Sequence, residues 1–168
     1  LARAETPPSA QDLEELVAQA AREREGNPGG GCVSLVGAGP GDPELLTLRA
    51  VRALRSADVI LYDDLVSDAV MEFARREARR ILVGKTGYGP SCTQTQINAL
   101  MVELAGQGNR VVRLKSGDPM IFGRGGEELD GLRSAGGAFE VIPGISAGQA
   151  AAARLNVPLT HRDHAKRL

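Results

Sequence analysis

Cysteine, histidine, long apolar runs and an excess of either charge are what this 168-residue sequence has least of, and each shortage removes a class of protein. There are only 2 cysteines, Cys32 in a predicted strand and Cys92 in a Gly/Ser/Thr-rich loop, and they form no CxxC pair. A disulfide scaffold and a cysteine-built zinc site are thereby excluded, and a reduced, cytoplasmic chain without a structural metal is expected. His161 and His164 are separated by Arg162-Asp163 with no third ligand nearby, so they read as loop residues. Lys and Arg total 20 against 21 Asp and Glu, which leaves no general electrostatic attraction to nucleic acid or an anionic membrane. No apolar run approaches the roughly 18 residues needed to span a bilayer, and Leu1-Ala2-Arg3-Ala4-Glu5 has no signal-peptide core.

What is present is enough chain for one core, with a tail. Residues 10 to 25 read as a short polar helix, with Ser9 as its cap and Leu13, Leu16, Val17 and Ala20 as its apolar stripe. The run Gly26-Asn27-Pro28-Gly29-Gly30-Gly31 then breaks it, so this helix belongs either to a preceding domain or to a loose leader. From Cys32 onward, CVSLVG, DVILY, RILVG, RVVRL and FEVIP are strand-like and alternate with helical patterns. One helix is predicted on Leu45, Leu48, Val51 and Leu54, and another on Ile97, Leu100, Met101 and Leu104 after the capping box Thr93-Gln94-Thr95-Gln96. Continuous apolar strands alternating with helices predict an α/β fold, a five-stranded mainly parallel sheet with helices on both faces and ligands at the C-terminal strand edges.

Chemistry-bearing loops follow the predicted strands. Gly37-Ala38-Gly39-Pro40-Gly41-Asp42-Pro43 suggests a dinucleotide turn, but Asp42 stands where GxGxxG needs its last glycine, and no P-loop ending is present. Alone it is equally an ordinary strand-to-helix turn. The loops beginning at Tyr62-Asp63-Asp64, Gly84-Lys85, Lys115-Ser116-Gly117-Asp118 and Pro143-Gly144 deliver more glycine and ionisable side chains to one edge than turn-making requires. Together they predict a binding cleft.

The segments VSLVGAGPGDPELLTLRA, YDDLVS, VGK, RVVRLKSGDPMIFGRGGEE, PGISA and PLTHRDHA, in this order over about residues 33 to 164, resemble the successive signatures of the tetrapyrrole methylase family. GRGGEE and THRDHA are most similar to its uroporphyrinogen-III C-methyltransferase branch. The resemblance implies two methyl transfers from S-adenosyl-L-methionine to pyrrole carbons of uroporphyrinogen III, giving precorrin-2 in siroheme and cobalamin biosynthesis. It also implies a cytoplasmic homodimer. In-line transfer from a sulfonium donor depends chiefly on positioning and requires neither a metal nor a covalent enzyme intermediate.

Carried over residue by residue, the resemblance implies cofactor contacts at Pro40, Ser116, Gly117, Asp118, Ile121, Ser146 and Ala147. Asp118 alternatively caps the turn before Pro119, and Ser116 replaces the family's usual glycine, adding a hydroxymethyl group beside the cofactor. The resemblance further implies that Asp63 is a proton acceptor and Lys85 a proton donor. A carboxylate near the methylated carbon suits removal of the excess proton. Asp63 is otherwise a helix cap or a solvated residue beside Asp64, and Lys85 is otherwise a partner for a substrate carboxylate. Arg113, Lys115, Arg124 and Arg162 are further candidates to meet a polycarboxylate, although most arginines are simply solvated and only Arg124, inside GRGGEE, stands above that reading.

The resulting division is residues 1–31 as leader helix and linker, 32–164 as the N-terminal methylase domain, and 165–168 as the start of a second domain. The leucine at position 1 and the absence of a stop signal at Lys166-Arg167-Leu168 lead us to expect a fragment, inactive by itself, of a longer enzyme such as a fused siroheme synthase. Two alternatives are a methylase for a later corrinoid or another substrate, and a non-catalytic cofactor-binding or dimerising module.

Overall fold

A computed structural model of the chain describes residues 9–24, 30–84 and 92–162. Lys85, His164 and residues 165–168 lie outside the described residues. Five strands, β1 (Cys32–Gly37), β2 (Val59–Tyr62), β3 (Arg79–Leu82), β4 (Arg110–Lys115) and β5 (Ala138–Ile142), form a single sheet in the order β3-β2-β4-β1-β5. Every pairing is parallel, as the apolar strand pattern predicts. Around the sheet lie α1 (Ala10–Arg24), α2 (Leu48–Ser56), α3 (Asp68–Met71), α4 (Gln94–Gly106), α5 (Gly125–Ser134) and α6 (Ala147–Leu155).

The period-two alternation of the strands divides the core between the two faces. Val33, Leu35, Val59, Leu61, Ile81 and Val111 pack with Ile97, Leu100, Met101 and Leu104 of α4 and with Leu129 and Leu132 of α5. Val36, Ile60, Tyr62, Leu82, Val112, Leu114 and Ile142 pack on the opposite side with Ala50 and Leu54 of α2 and Val70 of α3. The Thr93–Gln96 capping box is present, so α4 begins where its sequence signal stands.

The stripe expected on Leu45, Leu48, Val51 and Leu54 is corrected. Pro43–Leu45 is a separate 3-10 turn capped by Asp42, and α2 starts only after Thr47, whose hydroxyl accepts from the Ala50 N–H. The phase is therefore set from Leu48, which puts Ala50 and Leu54 inside and leaves Leu48 exposed. The leader helix is no loose segment: Leu13 is completely buried among Leu100, Met101 and Leu104, with Leu16 and Val17 packed beside it. Burying a leucine contributes about 1.5–3 kcal/mol toward docking α1 on α4. Among the described residues, no helix is long and apolar enough to cross a membrane.

Candidate active site

The sheet order places the loops after β1, β4 and β5 side by side, with the loop after β2 on the other flank of β4. The chain leaves β1 and β2 toward α2 and α3 on one face, and leaves β4 toward α5 on the other. Adjacent parallel strands whose connections diverge to opposite faces open a crevice at their carboxyl ends, the usual ligand position in such sheets.

Glycine backbone closes the floor of this crevice. Gly39 and Gly117 form a two-way bridge, with N–H to carbonyl distances of 3.1 and 2.7 Å. A Cβ on Gly144 would stand 2.2 Å from the Gly117 carbonyl oxygen, and one on Gly37 only 2.5 Å from the Gly144 nitrogen. These three loop starts are so close that side chains do not fit between them. Asp118, almost wholly buried, locks the arrangement: Oδ2 accepts from the Gly144 N–H at 3.0 Å and Oδ1 from the Met120 N–H at 2.8 Å. Its turn-capping role is thus observed, and it also joins the β4 and β5 loops.

Beside this floor runs an apolar cleft of about 740 Å³, lined by Pro40, Asp42 and Leu45 from the β1 loop and by Ile145, Ala147, Gln149 and Ala150 leading into α6. Its size lies within the usual range of small-molecule sites. Pro40 and Ala147, both expected at the cofactor, line it directly. Gly117 abuts Ser146 and Ala147, since a Cβ there would lie 3.9 Å from the Ser146 Cα and Ala147 N. Ser116 and Asp118 stand on the same loop, and Ile121 follows half-exposed, its N–H donating to the Asp118 carbonyl. The Ser146 hydroxyl caps α6 by accepting from the Gln149 N–H. The seven expected cofactor residues therefore share one edge, but only two of them line the cleft.

Asp63 follows β2 on the other side of β4, three-quarters buried, and Oδ1 accepts from Arg113 Nη2 at 2.6 Å. Gly84 lies against it: a Cβ there would be 2.9 Å from the Asp63 Cα. Arg113 and Lys115, weighed as partners for a substrate carboxylate, are paired within the protein. Both are buried and share Glu128 Oε1 of α5, Arg113 Nε at 3.0 Å and Lys115 Nζ at 3.1 Å, with Gln94 Nε2 of α4 at 3.2 Å. Burial, helped by neighbouring Arg113, lowers the Lys115 pKa. For Arg113, burial opposes the charge, but Asp63 and Glu128 outweigh it and raise the pKa.

Glu128 and Gln94 were missed by sequence reading, although a signal existed. Arg113 and Lys115 are two residues apart in a central strand whose other buried positions are apolar, hence on one face, and buried cations require an anion opposite. Arg124 is exposed with a left-handed backbone, its guanidinium held by Glu127 at 2.6 and 2.8 Å, and Arg162 is exposed.

Comparison with known proteins agrees with this architecture. The siroheme synthase of Methylococcus capsulatus is 55% identical over 158 residues, covering 93% of this chain but 33% of the relative. The crystal structure of a uroporphyrin-III C-methyltransferase from Thermus thermophilus complexed with S-adenosylhomocysteine superposes with a TM-score of 0.69 at 47% identity, covering 80% of this chain and 56% of that one. A cobalt precorrin-4 methyltransferase of cobalamin biosynthesis gives a TM-score of 0.70 at 32% identity, over 79% and 53% of the two chains. The chain thus spans about a third of the curated relatives it matches and little over half of the solved structures. Residues 33–168 match the tetrapyrrole (corrin/porphyrin) methylases, and with the parallel sheet and its glycine-joined strand ends this chain belongs to the tetrapyrrole methylase family.

Proposed function

We propose that this chain supplies the N-terminal half of an S-adenosyl-L-methionine-dependent C-methyltransferase that converts uroporphyrinogen III to precorrin-2. The observation that carries this reading is the glycine-joined crevice flanked by the apolar cleft on one side and by Asp63 on the other. In the proposed division, residues 32–164 form the methylase domain and 165–168 begin a second one. The cytoplasmic homodimer expected of the family belongs to the same proposal.

The residues present fit the donor. The cleft has ligand size and an apolar wall of Pro40, Leu45, Ile145 and Ala147, while the flanking backbone of Gly39 and Gly117 approaches without side-chain obstruction. Bound there, S-adenosyl-L-methionine supplies an electrophilic methyl group on a sulfonium sulfur. Pro40, Ser116, Gly117, Asp118, Ile121, Ser146 and Ala147 are proposed to hold and orient it, so that the acceptor carbon meets the methyl group in line. Methylation of a pyrrole carbon would leave the macrocycle cationic, with an excess proton to lose. Asp63 is proposed to take it. Lys85 is the proposed proton donor. The greater identity to the uroporphyrin-III enzyme than to the precorrin-4 enzyme, 47% against 32%, favours the earlier tetrapyrrole over a later corrinoid.

None of the α6 residues is buried, and Leu155 at its end and Val157 and Leu159 beyond it are exposed. Such uncovered apolar surface favours association and leaves one side of the cleft open to water. Calorimetric titration with S-adenosyl-L-methionine and an assay of precorrin-2 formation, on residues 1–168 and on a chain of the relatives' length, test the proposal. The longer chain should bind more tightly and methylate uroporphyrinogen III, whereas the shorter should not turn over. No binding and no methylation by the longer chain would refute the reading.

A further inference from the structure

Four charged side chains, Asp63, Arg113, Glu128 and Lys115, form one continuous ion-pair network under the C-terminal edge of the sheet. Their side-chain exposures decide how it is to be read: Glu128 is 0% exposed, Arg113 3%, Lys115 6% and Asp63 25%. Three members are sealed inside, and the fourth, following β2 at the strand-end edge, keeps a quarter of its side chain exposed. Buried ion pairs are weak contributors to stability, because the Coulombic gain does little more than offset desolvation, and apolar replacements of similar volume are often no less stable. Stability alone therefore gives this domain little reason to bury two cations in its central strand.

The geometry instead specifies orientation. Arg113 is fixed from three sides: Nε donates to Glu128 Oε1 at 3.0 Å, and Nη1 faces the carbonyls of Leu114 at 3.3 Å and Leu61 at 3.5 Å. Nη2 is left to donate to Asp63 Oδ1 at 2.6 Å. Glu128 is itself held by Lys115 and Gln94 on the same oxygen, so β4, α4 and α5 all contribute to the placement of one guanidinium. The planar fork transmits that placement to the carboxylate, as a flexible ammonium group does not.

We propose that Arg113, backed by Glu128, is a positioning residue for the reaction: it fixes Asp63 Oδ1, leaving Oδ2 as the oxygen that receives the proton from the methylated macrocycle. This inference rests on the reading of Asp63 as the proton acceptor. Arg113 touches neither donor nor acceptor and acts only through Asp63.

A double-mutant cycle in a chain of the relatives' length tests it. Arg113→Lys keeps the charge and loses the fork, and should lower kcat roughly 10- to 100-fold, the cost of a small misplacement, while KM for S-adenosyl-L-methionine stays unchanged. In an Asp63→Asn background the same substitution should lower kcat little further. Losses that multiply, or a rise in KM alongside a fall in thermal midpoint, would overturn the positioning role while leaving Asp63 in place. Full turnover by Asp63→Asn would instead overturn the reading of Asp63, and this inference with it. A second readout requires no Arg113 variant to fold. In side-chain NMR of the 168-residue chain, Asp63→Asn should shift the Arg113 Nη2 protons and speed their exchange while Nε, held by Glu128, remains protected. Unchanged Nη2 signals would also overturn the proposal.

Discussion

Gly37 and Gly144 meet backbone against backbone, so that a Cβ placed on Gly144 would lie 2.8 Å from the Gly37 Cα and 2.2 Å from the Gly117 carbonyl oxygen. The starts of three strand-end loops are thereby held at a separation that only glycine allows. Gly144 has no left-handed backbone, so its requirement is close approach and not torsional freedom.

Gly144→Ala must displace backbone atoms, because none of the obstructing atoms is the end of a flexible side chain. Overpacking of this kind costs roughly 1–3 kcal/mol. We expect a lower midpoint in thermal denaturation and a larger loss of S-adenosyl-L-methionine affinity than the stability change alone accounts for. A fully stable variant with normal affinity would show that the β5 loop adapts.

Asp63→Asn preserves the side-chain shape but removes the proposed base and the anion facing Arg113 Nη2. Turnover in a chain of the relatives' length should fall about 100-fold or more, while S-adenosyl-L-methionine binding measured by calorimetry is nearly retained. Loss of binding in parallel with turnover would assign Asp63 to the structure of the site.

Ser116 occupies a loop position beside Gly117, whose φ of +68° turns the chain toward the β5 loop. Its hydroxymethyl group should crowd the bound cofactor, so Ser116→Gly is expected to lower the Kd in the same titration. An unchanged Kd would show that the serine is accommodated.

Asp58 supplies a test of pH dependence at the opposite edge of the sheet. Burial acts to raise its pKa, but the Arg110 backbone N–H at 2.8 Å, the Arg110 guanidinium and Arg75 outweigh that and bring it below the ordinary range. A depressed carboxyl pKa adds stability that is complete above the unfolded value, about 3.9, and is lost as pH falls through the lower folded value. Asp58→Asn should therefore destabilise by roughly 2 kcal/mol at neutral pH, with the gap to wild type closing below about pH 4. A gap independent of pH in chemical denaturation would assign the effect to shape and not to charge.

Much of this protein is decided locally. Apolar runs such as VILY can be buried on both sides only in a covered parallel sheet, and Thr93 with Gln96 starts α4 through bonds between near neighbours in sequence. The glycine and acid positions at the strand ends are local as well, which is why Pro40, Asp63, Gly117 and Asp118 were legible as one edge. Tertiary structure decided matters of phase and partnership. The Leu48 side chain faces outward because α2 begins after Thr47, and Leu13 became core because α4 offered it an apolar face. The charged strand residues were the least legible: RVVRLK contains Arg113 and Lys115, but Glu128 lies more than ten positions away in α5 and Asp63 fifty positions from Arg113. Period-two alternation puts those cations on one face of β4. Only the packing of α5 and the β2 loop against that face, where desolvation demands opposite charge, determined that they would meet carboxylates of the protein itself.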